Sequence, residues 1–324
     1  MKSIENEEFN PLVSIVIPVY NGSDYMRDAI DSALAQTYPN CEIVIVNDGS
    51  TDNGETEKIA LSYGDKIRYF SKPNGGVSSA MNYGVRHMKG DYFSWLSHDD
   101  RYEPDKVKRQ VELLKKYNRD KAVVICDLNC IDGNGNKIPF TQKRRELPEE
   151  CVIHWKIALE DLLKNETFYG CTMLINKNVM EECGLFNESM RYSQDYLFCV
   201  EMCLNKNDFI YTKEELVQSR IHGGQLSQTG RQLYHKEAVE IGNMVIDRFT
   251  DVSSKEQNFL YFYAIDMAIY DNPSVLRKCI RLLKEKHLMG FKDYVRLQCV
   301  RIYGKIRPFL RKIYYATFRG FKTR

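Results

Sequence analysis

The sequence predicts an α/β protein built on a mostly parallel sheet that is flanked by helices. Strand-like and helix-like segments alternate from about residue 12 to residue 127, which is the pattern of parallel strands joined by crossover helices. The strand-like segments are short apolar runs typical of buried strands, such as Glu42-Ile43-Val44-Ile45-Val46. With 43% hydrophobic and 28% charged residues, a chain of 324 residues is globular and long enough for one large or two moderate domains.

Five strands and four helices are predicted in order in this first part. The strands are expected at 13–18, 42–46, 67–70, 92–96 and 122–126, and the helices at 24–36, 53–63, 77–88 and 104–117. Ser23 or Asn21 is the predicted cap of the first helix. Pro104 is the predicted first residue of the fourth helix, a position that tolerates proline.

The pattern changes after residue 127. The run Asp132-Gly133-Asn134-Gly135-Asn136-Lys137 predicts a hairpin. Two short helices and a strand at 171–175 lead to a helix that opens at Ser193-Gln194-Asp195, and 216–221 is predicted to be extended. Beyond about residue 230 only helical spacing remains. We therefore expect a first domain over 1–230, with halves at about 12–127 and 128–230, and a helical extension over 231–324.

Composition narrows the functional class further. The first residues lack the basic and apolar blocks of a signal peptide, and no apolar run is long enough to span a membrane. We therefore expect a cytoplasmic protein whose ten cysteines are reduced. The pairs Cys126/Cys130 and Cys199/Cys203 lack the spacing and the neighbouring histidines of a zinc site, so buried free thiols are expected.

The C-terminal segment is strongly basic. From Phe291 to Arg324 there are ten Lys or Arg residues and one acid, Asp293, which gives this tail a net charge of +9. The whole chain carries +2, so residues 1–290 carry −7. Apolar residues fall on one helical face among the cations, which predicts binding to an anionic membrane surface, peripherally on its inner face. A packed helix with a solvated basic face is the alternative, and nucleic acid is not an expected partner.

Two acidic clusters carry the chemistry. Asp48 follows the strand that ends at Val46, and Asp99 and Asp100 follow the strand that ends at Leu96. Both clusters therefore lie at carboxyl ends of strands, where open α/β sheets bind their ligands. Paired carboxylates there suit Mn²⁺ or Mg²⁺ and the diphosphate that such an ion carries, which indicates nucleotide-sugar chemistry.

Several ordered motifs share a resemblance to one family. They are Val13 to Asn21, Ala35 to Tyr38, Glu42 to Asp52, Asn74 to Ser78, Asn82 to Gly84, Gly90 to Pro104, Gly184 to Glu188, and Gln194-Asp195. Over about residues 12–225 the chain resembles the inverting glycosyltransferases of family 2, of the bacterial cell-surface polysaccharide type. The resemblance implies the Rossmann-like GT-A fold and a UDP-sugar donor. The acceptor it implies is a glycan or a lipid-linked glycan.

The resemblance also implies a donor site. Asp48 would accept from the uracil ring, and Tyr20 would line the base pocket. Pro18, Asn21 and Asn74 belong to the matching stretches and would complete this part of the donor site.

Further roles follow for the other matching positions. Asp99 and Asp100 would share the metal and ribose contacts in an undetermined order, and His222 in the Arg220-Ile221-His222-Gly223-Gly224 loop would contact the diphosphate or the metal. Asp195 would be the general base that deprotonates the acceptor hydroxyl, with Gln194 beside it in the substrate site.

Three positions depart from the family pattern, namely Asn47, Ser97 and Gln194, where acids are common. They motivate an alternative, a non-catalytic carbohydrate- or membrane-binding protein on a decayed fold of the same type. A sugar-nucleotide pyrophosphorylase is a weaker alternative, because the first loop lacks its Gly-rich, basic character. The Gln-x-x-Arg-Trp motif of processive members is absent, which favours the addition of one sugar.

Overall fold

The computed structural model describes residues 9–119, 122–140, 146–165, 168–225, 231–248, 264, 273–285 and 287–303. The chain divides into two compact units, Met1–Arg231 and Gln232–Arg324.

The strands and helices are bounded as follows. The strands are β1 Val13–Val19, β2 Cys41–Asn47, β3 Arg68–Ser71, β4 Tyr92–Trp95, β5 Arg101–Tyr102, β6 Val123–Ile131, β7 Lys137–Ile138, β8 Glu150–Ile153, β9 Met173–Asn176 and β10 Phe209–Arg220. The helices of the first unit are α1 Met26–Leu34, α2 Glu55–Leu61, α3 Val77–His87, α4 Lys106–Tyr117, α5 Trp155–Asn165, α6 Lys177–Cys183 and α7 Gln194–Leu204, and short 3₁₀ turns cover Gly64–Lys66 and Gly170–Thr172. They are followed by α8 Arg231–Arg248, α9 Pro273–Glu285 and α10 over 291–303.

One sheet holds the first unit together, in the order β3-β2-β1-β4-β9-β6-β10-β5, with β7 on β6 and β8 on β10. β1 runs parallel to β2 and β4, and β2 runs parallel to β3. β9 is antiparallel to both β4 and β6, while β6 and β10 are again parallel. The predicted fold class, a mostly parallel sheet flanked by helices, is confirmed.

Two predictions about helix starts are wrong. Helix α1 begins only at Met26, whose N–H bonds to the carbonyl of Gly22. Asn21 does not cap it, because its side-chain oxygen accepts from the N–H of Thr51 instead. Pro104 lies two residues before α4, which begins at Lys106.

A buried lysine, Lys106, contacts strands β4 and β9. The ammonium of Lys106 donates to Ser94 Oγ at 2.7 Å and to the carbonyl of Met173 at 3.3 Å, and it lies 4.0 Å from the centre of the Tyr102 ring. The Tyr102 hydroxyl in turn donates to the carbonyl of Trp95 at 2.5 Å. Burial lowers the pKa of Lys106 to about 8. This network fixes the last residues of β4, from which the second acidic cluster extends.

The cysteines that were weighed as zinc ligands are core residues. All four side chains, Cys126, Cys130, Cys199 and Cys203, are buried free thiols. Within the described ranges no group of three or more His, Cys, Asp or Glu side chains is arranged to hold a metal ion.

In the second unit the described residues lie mainly in helices α8, α9 and α10, with a short non-helical connection at 287–290. α9 buries the face formed by Val275, Leu276, Cys279 and Leu283. Over the part of the chain that is described, no helix combines the length and apolar character needed to cross a membrane. Residues 304–324 of the predicted basic tail lie outside the described residues.

Candidate active site

The predicted site residues of the first half meet at one edge of the sheet. In the parallel register Val19 is opposite Asn47, and Val16 is opposite Trp95. The loops that follow β1, β2 and β4 therefore leave the sheet side by side. They carry Tyr20, Asp48 and Asp99, which the sequence alone separates by tens of residues.

Asp48 lies at the centre of the first part of this edge. Its side chain is buried, and its carboxylate accepts from Lys72 Nζ at 2.6 Å, from the N–H of Gly75 at 3.0 Å and from the N–H of Gly76 at 2.7 Å. Asn74 Nδ2 donates to the backbone carbonyl of Asp48 at 2.9 Å. An ionised carboxylate has about four acceptor positions, so one more donor can be accommodated.

Lys72 is a site residue that the sequence analysis missed. It directly follows β3, the strand next to β2, and only the parallel pairing of β2 with β3 places its ammonium on Asp48. The signal that was available was its position at a strand's carboxyl end.

The loop after β1 is joined to the loop after β2. Asn21 adopts a φ of 50°, its N–H donates to Ser50 Oγ at 2.9 Å, and its side-chain oxygen accepts from Thr51 at 2.7 Å. The Tyr20 side chain beside it is 46% exposed, whereas Pro18 is buried within β1. Asn21 thus shapes the pocket through its loop contacts, and Tyr20 presents an accessible ring.

The hydrogen bonds of Asn47 explain why an amide stands at this position, where the family commonly has an acid. Its side chain is buried, its oxygen accepts from the N–H of Ser50 at 2.9 Å, and its Nδ2 donates to the Tyr69 hydroxyl at 2.9 Å. An amide both accepts and donates in this buried position without introducing a second negative charge beside Asp48.

The two carboxylates of the second cluster point to different surroundings. Asp100 is buried and accepts from the N–H of Arg220 at 2.9 Å. Burial, together with the charge of Asp99, raises the pKa of the Asp100 carboxyl. Asp99 Oδ2 lies 3.0 Å from His222 Nε2 and accepts from Gln225 Nε2 at 3.3 Å. The structure brings Asp99 and His222 together and sets Asp100 into the protein.

His98 lies between these groups and the loop after β1. A Cβ on Gly22 would come within 2.7 Å of the His98 ring, so glycine is required for this close packing. Burial lowers the pKa of His98, and Asp99 acts in the opposite direction.

Asp99 and His222 form a donor set that fits a shared divalent cation. A carboxylate oxygen is the preferred ligand of Mg²⁺ and Mn²⁺, and an imidazole nitrogen 3.0 Å away offers a second position. Such ions in nucleotide enzymes are held by one or two protein ligands and otherwise by phosphate oxygens. The pair therefore fits a cation that arrives with a diphosphate, not a closed all-protein cage.

Asp195 lies in the first turn of α7, close to the end of β4. A Cβ built on Gly170 would be 3.3 Å from Asp195 Cβ and 2.4 Å from the Trp95 ring, so these three residues are in close contact. Burial raises the pKa of the Asp195 carboxyl, although backbone N–H groups of Tyr196 and Gly170 oppose that shift. Among the described residues, the oxygen of the neighbouring Gln194 side chain is buried without a hydrogen-bond partner.

The sheet flanked by helices is of the GT-A type, with carboxylates along its carboxyl edge, and comparison with known proteins gives the family. The model of glycosyl transferase family 2 matches residues 14–188. The chain belongs to this family.

Individual relatives agree with that assignment. An uncharacterized glycosyltransferase of Rickettsia typhi is 37% identical over 321 residues, which cover 94% of this chain and 99% of the relative. One from Rickettsia felis is 49% identical over 67% of this chain, but the match spans only 35% of that protein. The crystal structure of S. aureus TarS 1-349 in complex with UDP-GlcNAc shares the fold, with a TM-score of 0.66 at 17% identity over 93% of this chain and 92% of that one.

Proposed function

We propose that this family 2 glycosyltransferase moves one sugar from a UDP-sugar to a hydroxyl of a glycan or lipid-linked glycan, with inversion and with Mn²⁺ or Mg²⁺. Cell-surface polysaccharide synthesis is the proposed setting. The observation that carries the proposal is the Asp99–His222 pair at the same sheet edge as the Asp48 pocket.

The donor half follows from these contacts. Asp48 keeps one acceptor position for the uracil N–H, while Tyr20 offers its exposed ring to the base. Asp99 and His222 would hold the cation, which neutralises charge on the departing diphosphate. Asp100, buried on the backbone of Arg220, would support the loop instead of binding the ion.

The acceptor half depends on Asp195. As a general base, its carboxylate takes the proton of the acceptor hydroxyl while that oxygen forms a bond to the anomeric carbon. The bond from the anomeric carbon to the diphosphate breaks, and its electron pair leaves with UDP. A carboxyl whose pKa is raised by burial is a stronger base than a solvated one, and such catalysis is worth roughly 10²–10⁴ in rate.

Donor turnover is the direct test. UDP release from UDP-GlcNAc, the ligand of the TarS complex, is measured first, followed by other UDP-sugars, each with Mn²⁺ and with excess EDTA. We expect cation-dependent turnover that is lost in Asp99→Ala. UDP binding without any turnover supports the non-catalytic alternative, and a retained anomeric configuration in the product contradicts inversion.

We also propose that the enzyme works peripherally on the cytoplasmic face of the membrane. Helix α10 exposes Phe291 (81%), Val295 and Ile302 along one stripe, with Lys292 and Arg296 on its exposed surface. Exposed apolar side chains beside cations suit an anionic lipid surface, where each Lys or Arg is worth about 1 kcal/mol.

Vesicle sedimentation of the full chain tests this. We expect binding to phosphatidylserine-containing vesicles that weakens with salt and is reduced in Phe291→Glu and in Lys292→Glu/Arg296→Glu. Lys58→Glu, at an exposed position of α2, is the matched control and should bind as the natural chain does. Equal binding by all variants would contradict the role of α10.

A further inference from the structure

Arg220 is a buried arginine at the end of β10. Its side chain is only 1% exposed, which makes it the largest of the fully buried side chains among the described residues. A guanidinium costs several kcal/mol to bury unless its donors are satisfied. Its partners therefore define what the burial accomplishes.

Each nitrogen of this guanidinium has a partner on a different segment. Nε donates to the carbonyl of Asp99 at 2.9 Å, and Nη1 donates to the carbonyls of Asp132 and Gly133 at 3.2 and 3.1 Å. Nη2 donates to Asp28 Oδ2 at 2.8 Å. One side chain thus joins the second acidic cluster, the turn between β6 and β7, and helix α1.

The same residue also bears on His222. The guanidinium carbon lies 4.5 Å from the centre of the Tyr25 ring, and that ring lies 5.0 Å from the His222 ring. The backbone carbonyl of Arg220 accepts from Gln225, whose amide also donates to Asp99. Arg220 is therefore connected to both members of the Asp99–His222 pair.

Among the described residues, the Arg220 guanidinium forms its ion pair with one acid, Asp28. Asp28 also pairs with Arg101, so two guanidinium groups share a single carboxylate. Asp99 meets Arg220 through its backbone carbonyl, which leaves the Asp99 carboxylate for His222 and Gln225. Arg220 therefore holds the Asp99 main chain and does not occupy the Asp99 carboxylate.

We propose that Arg220 is a positioning residue for the cation–diphosphate site, fixing the Asp99 main chain and the Tyr25 ring so that Asp99 Oδ2 and His222 Nε2 stay about 3 Å apart. This inference rests on the proposed cation-dependent donor binding. It predicts that the planar fork is required as well as the positive charge, because an ammonium on a flexible stem cannot reach three directions at once.

The experiment measures UDP binding to the full chain by calorimetry, once with Mn²⁺ and once with EDTA. For Arg220→Lys and Arg220→Met we expect the Kd for UDP with Mn²⁺ to rise about tenfold or more, which is the usual loss when support of a metal ligand is removed. With EDTA the Kd for UDP should change less than about twofold, because no metal ligand is then involved. The Asp48 pocket is held by Lys72, Gly75 and Gly76, which Arg220 does not contact through its side chain.

Two variants serve as controls. Arg109→Lys alters another arginine with several carboxylate partners, Glu112, Glu150 and Glu214, none of them in the proposed site, and should leave both Kd values unchanged. Tyr25→Leu removes the ring between Arg220 and His222 and leaves no buried charge without its partner. This variant tests the inference if the Arg220 variants do not fold. It should also weaken only the Mn²⁺-dependent binding.

Three results would overturn the inference. One is a Kd with Mn²⁺ in Arg220→Lys that equals that of the natural chain, and another is an equal loss of UDP binding with and without the cation. An unchanged Kd in Tyr25→Leu, where the Arg220 variants do not fold, is the third. If the natural chain itself binds UDP without any cation dependence, the proposed cation site is wrong, and the role of Arg220 is wrong with it. If the natural chain shows the cation dependence and Arg220→Lys shows it equally, only the role of Arg220 is wrong. The two failures are therefore distinguishable.

Discussion

Replacing Gly170 with alanine should slow sugar transfer by displacing Asp195. The new Cβ would lie 2.4 Å from Cε3 and 2.5 Å from Cζ3 of Trp95, well inside the contact distance of two carbon atoms. Trp95 cannot withdraw, since it is 7% exposed and packs edge-on against Phe186 at 5.7 Å. The strain must therefore move the Gly170 segment, and the new Cβ also lies only 3.3 Å from Asp195 Cβ.

The size of the effect follows from the overlap. Removing a clash of about 1 Å requires a backbone movement of similar size, and overpacking of this kind costs about 1–3 kcal/mol of stability. A misplacement of about 1 Å in a catalytic group costs on the order of 10² in rate. We expect kcat to fall about a hundredfold, while the Kd for UDP is unchanged.

The assay is steady-state transfer at saturating acceptor, with UDP binding measured by calorimetry and unfolding measured by denaturant titration. Gly290→Ala is the matched control, because among the described residues its new Cβ would meet only Asp293 Oδ2, at an ordinary contact distance of 3.5 Å. Trp95→Leu removes the ring, so Gly170→Ala should cost less kcat in that background than alone. An unchanged kcat in Gly170→Ala, or full additivity of the two changes, would contradict this prediction.

The other predictions concern single side chains. Asp195→Asn should keep UDP binding and lose transfer by roughly 10²–10⁴, since an amide accepts no proton; wild-type transfer in a kinetic assay would mean that another group is the base. Asp99→Asn should abolish the effect of Mn²⁺ on the Kd for UDP. Asp100→Ala should mainly lower the unfolding free energy, because it removes the side-chain oxygen that accepts from the buried N–H of Arg220; calorimetry and denaturant titration separate the two. For Lys106, the folded pKa of about 8 lies below the ordinary 10.5, so between these values the unfolded chain binds more protons and the contribution of this group to stability rises with pH. The unfolding free energy of the natural chain minus that of Lys106→Met should therefore rise by about 2 kcal/mol from pH 7 to about pH 9.5, and a flat difference would contradict the burial of a charge there.

The elements that the sequence predicted best are those with strong local patterns. β1, β2 and β4 lie within a residue or so of their predicted ranges, because continuous apolar runs specify buried strands. The errors are at helix starts and in two strand lengths: β6 continues to Ile131 and β10 begins at Phe209, whereas 122–126 and 216–221 were expected. Asn21 has the right chemistry for a cap, but Thr51 from another loop competes for its side chain, and local sequence contains no information about that competitor.

Within the candidate site, the position of a residue at a strand end could be predicted, but its hydrogen-bond partners could not. The sequence placed Asp48, Asp99 and Asp100 at one edge, since carboxyl ends of parallel strands converge there. It left the order of Asp99 and Asp100 open, and the proposed division of their roles rests on contacts with Arg220 and His222, more than a hundred residues away.

The fold class, the family motifs and the residue types available for chemistry can be predicted from the amino-acid sequence, because strand and helix periodicity and short motifs are local properties of the chain. Which groups touch depends on the folded arrangement: Lys72 on Asp48, His222 on Asp99, Gly170 against Asp195 and Trp95, and Arg220 across three segments. Those contacts depend on strand order and register, which are set by how all the apolar faces pack at once and not by any one segment.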